Sequence, residues 1–158
     1  MRRGRRTLLW TLFGLYCALM LWLLLLRRLG RTPPGEYAAL LHAYCNLVPL
    51  RTIRAYLRLL RHSRPVLRHV AAVNLAGNVA MFLPLGVLPP LLWPRLRRLW
   101  RLLLWTGGAI AAVEVLQLVT LLGSCDVDDL LLNLLGVLLG WCLLRLFSHS
   151  QNTPDTDP

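Results

Sequence analysis

A chain of 158 residues that is 56% hydrophobic, with a mean hydropathy of +0.54, is too apolar for an ordinary soluble domain. Its apolar runs reach the roughly 20 residues that a helix needs to cross a bilayer, so we predict one small integral membrane domain. The net charge of +11 comes from 18 basic residues, all arginine, which flank the apolar runs. This placement indicates contact with anionic lipid headgroups and argues against a nucleic-acid partner.

The first predicted element is a membrane span over residues 7–26, between a basic N-terminal tail and Arg27, Arg28 and Arg31. The apolar run is longer than that of a typical signal peptide, and no small-x-small cleavage site follows it. We therefore expect an uncleaved signal-anchor helix.

The long first connection contains a predicted amphipathic helix over residues 51–63. One side carries arginines at spacings of three and four, namely Arg51, Arg54, Arg58 and Arg61. The other side carries Ile53, Tyr56, Leu57, Leu59 and Leu60. We expect this helix to lie in the membrane interface with its arginines toward lipid headgroups. The alternative is a solvated arginine face over a protein core.

Three further spans are predicted over residues 70–92, 99–122 and 127–147. The polar tail over residues 148–158 is expected to be disordered. The predicted fold class is therefore all-α. It is a polytopic membrane protein with four transmembrane helices and an interfacial amphipathic helix in the first connection.

Polar residues in the last three spans are predicted to converge at one depth. With four spans, the first and third connections lie on the same side of the membrane. Asn78, Glu114 and Asn133 then lie roughly 9 to 13 Å below that side, at 1.5 Å per helical residue. Carboxylates at such depth are expensive and usually mark a polar cavity or a partner. The predicted binding pocket comprises Asn46, Asn74, Asn78, Glu114, Gln117, Asp126, Asp128, Asp129 and Asn133.

The orientation in the membrane is not decided by arginine counts, because nine arginines fall on each side. The basic N-terminal tail and the acidic third connection break the tie. We expect a multi-pass protein of the cell membrane with both termini in the cytoplasm.

Four motifs occur in a recognisable order. They are Asn46-Leu-Val-Pro49-Leu-Arg-Thr52-Ile53, then Asn74 and Gly77-Asn78 leading into Phe82-Leu-Pro84-Leu-Gly86, then Glu114-x-x-Gln117, and finally Asp126-x-x-Asp129-x-x-x-Asn133-x-x-Gly136-x-x-x-Gly140. Together they resemble the VanZ-like family of small bacterial membrane proteins over residues 37–147. The resemblance implies a multi-span helical protein, and the family's founding member is involved in resistance to the lipoglycopeptide teicoplanin. It implies no established enzymatic activity.

The chain departs from the family pattern in two places. It has Gly123 and Ser124 where members often carry an arginine, and Leu134 where many have threonine. In other family members this arginine can pair with the acidic cluster. In the present chain it is either missing or supplied by the first connection.

Several motif residues also have purely structural interpretations. Asp126 can cap the last helix, with Asp129 completing a capping box. Gly136 and Gly140 are typical of close packing between helices. Glu114 can be a neutral carboxyl that bridges helices by hydrogen bonding to an asparagine.

Three functions remain open from the sequence. The protein can bind an amphiphile such as a lipid-linked envelope precursor or a lipoglycopeptide, with the arginine face on its phosphate or carboxylate. It can be an intramembrane enzyme acting on a lipid-like substrate, with Glu114 as general acid or base and the aspartates holding a metal or water. It can also be a structural membrane subunit. We assign no metal and no cofactor and expect a non-enzyme, and the oligomeric state is left open.

Cys45 and Cys125 are predicted on the same side of the membrane. A disulfide between them is conceivable if that side is external.

Overall fold

The computed structural model describes residues 3–24, 45–120 and 125–150. These residues form the helices α1 (Arg3–Leu24), α2 (Arg51–Leu59), α3 (Pro65–Leu92), α4 (Leu99–Val119) and α5 (Val127–Ser150). A 3₁₀ turn, Pro94–Arg97, joins α3 to α4, and two two-residue strands, β1 (Cys45–Asn46) and β2 (Cys125–Asp126), pair with each other.

Four of these helices are long and apolar enough to cross a membrane. They are Arg3–Leu24, Pro65–Leu92, Leu99–Val119 and Val127–Phe147, with mean hydropathies of 1.7 to 2.1 over their most apolar windows. The all-α polytopic fold is therefore confirmed.

The helix ends differ from the predicted ones by a few residues. Helix α3 begins at Pro65 rather than 70, because a proline is well accommodated at the first helical position, where its missing N–H is not needed. Helix α2 ends at Leu59 rather than 63. Helix α5 continues through Ser150, three residues into the predicted tail, and residues 151–158 lie outside the described part of the chain.

The tightest packing in the molecule joins α3 to α5 through glycines. A Cβ atom added at Gly136 would lie 2.2 Å from the Val79 carbonyl oxygen, and one added at Gly140 would lie 2.2 Å from the Leu83 carbonyl oxygen. Gly86 of α3 makes the reciprocal approach to the Val137 carbonyl oxygen of α5. The prediction that Gly136 and Gly140 form a close-packing surface is therefore confirmed.

The buried apolar core consists of Met20, Phe82, Leu102, Ile110 and Val137. Helix α1 contributes little to this core, and among its described residues Leu9 and Met20 are the buried ones. It is held against α3 by the Tyr16 hydroxyl, which donates a hydrogen bond to the Met81 carbonyl oxygen at 2.9 Å. The space between α1 and the other spans is therefore not closely packed.

The two ends of the helix bundle differ in character. At one end, called here the motif end, α1 and α4 end, α3 and α5 begin, and β1 pairs with β2 in parallel, Asn46 opposite Asp126. At the other, the turn end, the Arg97 carbonyl oxygen accepts hydrogen bonds from Trp141 Nε1 at 3.0 Å and Arg145 Nη2 at 3.3 Å. The strand pair thus brings the first connection onto the start of the last span.

Candidate functional site

Asp126 joins the first connection to the start of α5. It is 8% exposed, and its Oδ1 accepts a hydrogen bond from the Asp128 backbone N–H at 2.9 Å, as an N-cap residue does. The same Oδ1 accepts from Asn46 Nδ2 at 2.9 Å, while Oδ2 accepts from the Thr52 hydroxyl at 2.6 Å. Asp126 is therefore the helix cap that the structural interpretation predicted, and it also binds the motif around Asn46.

Asp128 binds the N-terminus of α2. Its side chain is completely buried, and its carboxylate accepts hydrogen bonds from the backbone N–H groups of Leu50, Thr52 and Ile53, the last two at 2.7 and 3.0 Å. A helix N-terminus presents free N–H groups and a partial positive charge, so it stabilises a buried carboxylate. Leu50 adopts a left-handed conformation at φ 64°, ψ 7° to aim its N–H at this group. Such a conformation costs an L-residue roughly 1–2 kcal/mol.

A separate cavity of about 750 Å³ lies between α1, α3, α4 and α5. Its polar lining residues are Tyr16, Asn74, Asn78, Glu114, Gln117, Asp129 and Asn133. Its apolar lining includes Phe13, Met20, Phe82, Leu85, Trp105 and Ile110. Six of the nine residues predicted for the binding pocket thus surround one space. The other three, Asn46, Asp126 and Asp128, are not among its lining residues and instead bind one another or the first connection.

The polar side chains of the cavity lie toward the motif end, where Leu21, Leu24 and Val73 also line it, and the part toward the turn end is apolar. Helix α3 runs away from the motif end, so Leu85 lies about 10 Å beyond Asn78 along the helix axis. Helix α4 runs the other way, so Trp105 lies about 14 Å from Glu114. The space therefore has the polarity of an amphiphile, with room for a polar head at one end and an apolar chain at the other.

Three of the four amide groups that line the cavity donate to protein acceptors. Asn78 Nδ2 donates to Asp129 Oδ1 at 2.8 Å, which joins α3 to α5. Gln117 Nε2 donates to the Leu24 carbonyl oxygen at 2.7 Å, which joins α4 to the end of α1. Asn74 Nδ2 donates to the Val70 carbonyl oxygen of its own helix at 2.8 Å. Each of these three NH₂ groups thus has one N–H bonded to the protein, and the side chains of Glu114 and Asp129 add acceptor oxygens to the cavity lining.

Two acceptor atoms of the lining residues have no hydrogen-bond donor among the described residues. They are Glu114 Oε1 and Asn133 Oδ1, both buried, and the Asn133 side chain is only 6% exposed. If Glu114 bridged helices through Asn78 or Asn133, one of these amides would donate a hydrogen bond to it. No such bond is present among the described residues. A buried acceptor without a donor costs about 1–3 kcal/mol, so the pair marks a place where a bound donor would be stabilising.

The aspartates do not form a metal centre in the described part of the chain. No group of three or more His, Cys, Asp or Glu side chains there is placed to hold a metal ion. Asp126 and Asp128 are turned toward the first connection, while Asp129 faces the cavity. The three aspartates that would have to hold a metal or water together therefore face two different places.

Helix α2 packs on the protein with one face and exposes its arginines. Thr52, Ile53, Tyr56 and Leu59 are partly buried against the bundle, whereas Arg51, Arg54, Arg58 and Arg61 are exposed. Arg54, Arg58 and Arg61 surround a surface groove together with Leu57, which is 49% exposed. Part of the apolar face thus covers protein while Leu57 and Leu60 remain exposed, and contact of the arginines with lipid headgroups stays a prediction. The groove and the cavity share no lining residue.

Tyr56 lies on the inward face of α2, close to the acidic residues. Its pKa is raised above the ordinary 10.0, first by burial and then by the negative charges of Asp129 and Asp126. The phenol therefore remains neutral beside these carboxylates.

Sequence reasoning did not assign Tyr16 or Thr52 to the site. Thr52 stood in a quoted motif, and its position at the start of a predicted helix was a usable signal. Tyr16 had no such signal, because a tyrosine inside an apolar span also fits simple packing.

For the cysteine pair, the backbones of Cys45 and Cys125 are direct partners in the strand pair. The Cys125 side chain, like Gly123 and Ser124, lies outside the described residues.

Comparison with known proteins identifies one family. The model of a family described as VanZ/LLP1 matches residues 13–148, which is most of the chain. No curated protein and no solved structure matches it.

Proposed function

Because this chain belongs to the VanZ-like family of membrane proteins, we propose that it binds a cell-envelope amphiphile in the cavity between α1, α3, α4 and α5. Through this binding it contributes to tolerance of teicoplanin-type lipoglycopeptides. The amphiphile is a lipid-linked envelope precursor or the lipoglycopeptide itself.

The observation that carries this proposal is the polarity of the cavity. Ligand sites are usually concave and mostly apolar, with a few polar groups that fix orientation. Here the polar groups of three spans lie toward the motif end, and the lining farther toward the turn end consists of aromatic and aliphatic side chains. A head placed among Glu114, Asp129 and Asn133 leaves its chain along Phe82, Leu85 and Trp105.

The loose packing of α1 supports the same proposal. Only 6% of its most apolar window is buried, compared with 22 to 28% for the other spans. An amphiphile has to enter from the bilayer without opening the tight α3–α5 interface. Movement of α1 relative to α4 provides that path, because it exposes less buried apolar area than movement of any other span would.

The exposed arginines of α2 serve the membrane surface in this proposal. Arg54 and Arg58 of α2, and Arg61 just beyond its end, are at the motif end, where α2 packs over the start of α5. Arginine binds phosphate and carboxylate groups with paired hydrogen bonds. We place the headgroups of bilayer lipids there, outside the cavity.

Native mass spectrometry of the purified full chain tests the proposal. Gly77 lines the cavity, and a Cβ added there meets nothing within 4 Å, so Gly77→Trp fills the space. We expect the wild-type protein to retain an amphiphile from a bacterial membrane lipid extract and Gly77→Trp to lose it. Gly108→Trp is the matched control, since Gly108 also has open space but does not line the cavity. Equal retention by both variants would contradict the proposal.

A further inference from the structure

The polar end of the cavity is rich in acceptors, and this restricts the head that it can bind. Its described lining residues include two carboxylates, Glu114 and Asp129, and no arginine, lysine or histidine. The buried acceptors Glu114 Oε1 and Asn133 Oδ1 have no donor among the described residues. A ligand that completes this site must supply hydrogen-bond donors.

An anionic head does not meet that requirement. A phosphate or carboxylate brings further acceptors next to the orphan acceptors and the Asp129 side chain, and like charges in a poorly solvated space repel strongly. Two of the amides that could donate to it already have one N–H bonded to the protein, Asn78 to Asp129 and Gln117 to the Leu24 carbonyl oxygen. A protonated amine, in contrast, has three donors and a charge opposite to that of the carboxylates.

We propose, building on the proposed function, that the cavity recognises an amphiphile whose head is a protonated amine and rejects an anionic head. Of the two amphiphiles named above, this excludes a lipid-linked precursor that would place its phosphate in the cavity. The amine lies between Glu114 of α4 and Asn133 of α5 and donates to both orphan acceptors. The phosphate-binding role remains with the separate arginine groove on α2. The two surfaces therefore select opposite charges at the same end of the molecule.

Protection of a native cysteine provides a direct test. Cys17 lines the cavity, whereas Cys142 does not, and both are free thiols. The full chain in lipid nanodiscs would be treated with N-ethylmaleimide, and labelling at each cysteine quantified by peptide mass spectrometry. The probes are dodecylamine, 1-dodecanol and dodecyl phosphate, which share one chain and differ in the head.

We expect dodecylamine to slow the labelling of Cys17 at a concentration at least about tenfold lower than dodecyl phosphate does, with Cys142 unaffected. Glu114→Gln, which keeps the size of the side chain, should raise the required dodecylamine concentration by about tenfold. Thr120→Val, at the end of the same helix but outside the cavity lining, should leave it unchanged.

The possible outcomes separate this inference from the proposed function. Equal protection by all three probes would mean that the cavity binds amphiphiles without discriminating between their head groups. The inference would then be wrong, while the proposed function would stand. Better protection by dodecyl phosphate would also overturn the inference. If no probe protects Cys17, both the inference and the proposed function are contradicted.

Discussion

The buried charge of Asp128 is compensated by backbone rather than by a cation. Its carboxylate accepts three N–H groups at the start of α2, and the strained backbone of Leu50 is retained because it delivers one of them. The bonds act between residues about 75 positions apart in sequence. Asp128 therefore fixes the first connection on the last span, and its role is structural.

The substitution Asp128→Asn tests this role. An amide can keep only one of the two acceptor oxygens, and its NH₂ group would face a backbone N–H. We expect the free energy of unfolding to fall by about 2–3 kcal/mol, measured by titration with sodium dodecyl sulfate in mixed micelles. Arg58→Gln, at an exposed position of α2, is the control and should change it little. If Asp128→Asn lowered the free energy of unfolding no more than Arg58→Gln does, the bonds from Asp128 to the start of α2 would be unimportant for stability.

Tyr56 gives a pH-dependent signal at the same place. Because its pKa is raised above 10.0, the folded protein should keep this phenol neutral at pH values where a free tyrosine ionises. Its contribution to stability is complete below the ordinary pKa and is lost as the pH rises through the folded pKa.

Ultraviolet difference spectra of the wild type and Tyr56→Phe measure this titration. The tyrosinate band assigned to Tyr56 should appear only above pH 10. Replacing Asp126 with Asn would remove one of the negative charges and shift the band to lower pH. A band at the ordinary position in the wild type would contradict the proximity of Tyr56 to the acidic residues.

At the scale of the helices, the α3–α5 contact is the closest backbone approach found at the glycines of the described residues. Three glycines let two backbones approach each other, and Val137 and Phe82 fill the adjoining space. Close approach of this kind favours association of helices in lipid, where the hydrophobic effect between them is small. Asp129 and Asn133 lie on the helix that carries two of these glycines, so the packing also fixes one wall of the cavity.

The substitution Gly136→Ala should separate these two helices. The added methyl group would meet the Val79 carbonyl oxygen at 2.2 Å, and backbone can yield only by moving a whole helix. We expect a loss of about 1–3 kcal/mol in the free energy of unfolding. Gly108→Ala in α4 is the matched control, because its added methyl group meets nothing within 4 Å. Equal effects of the two substitutions would refute the close-packing interpretation.

Much of this arrangement follows from the sequence, for physical reasons. Hydropathy and length locate the spans, and the fixed rise of a helix places Asn78, Glu114 and Asn133 at one depth. The depth of a residue does not tell which way its side chain faces around the helix axis. The sequence could therefore not predict that Asp126 and Asp128 face the first connection while Asp129 faces the cavity. That separation depends on the docking of the first connection, which is set by non-local hydrogen bonds such as Asn46 to Asp126.

At the scale of the whole molecule, the orientation in the membrane is a prediction. Both termini are expected in the cytoplasm, which puts the motif end outside. Cys45 lies at that end and is partly exposed. A membrane-impermeant maleimide should therefore label Cys45 in intact cells, with Cys17 and Cys142 inside the spans as references. Labelling of Cys45 only after permeabilisation would reverse the orientation while leaving the cavity unchanged.

In the proposed function, an amphiphile lies in the cavity with its chain toward the turn end. Photo-crosslinking with an amphiphile that carries a diazirine at the end of its chain measures this position. We predict crosslinks to the deep lining of the cavity, at Phe13 and Trp105, that are lost in Gly77→Trp and retained in Gly108→Trp. Crosslinks restricted to outward-facing residues such as Leu104 and Leu146, and unchanged in Gly77→Trp, would contradict the account.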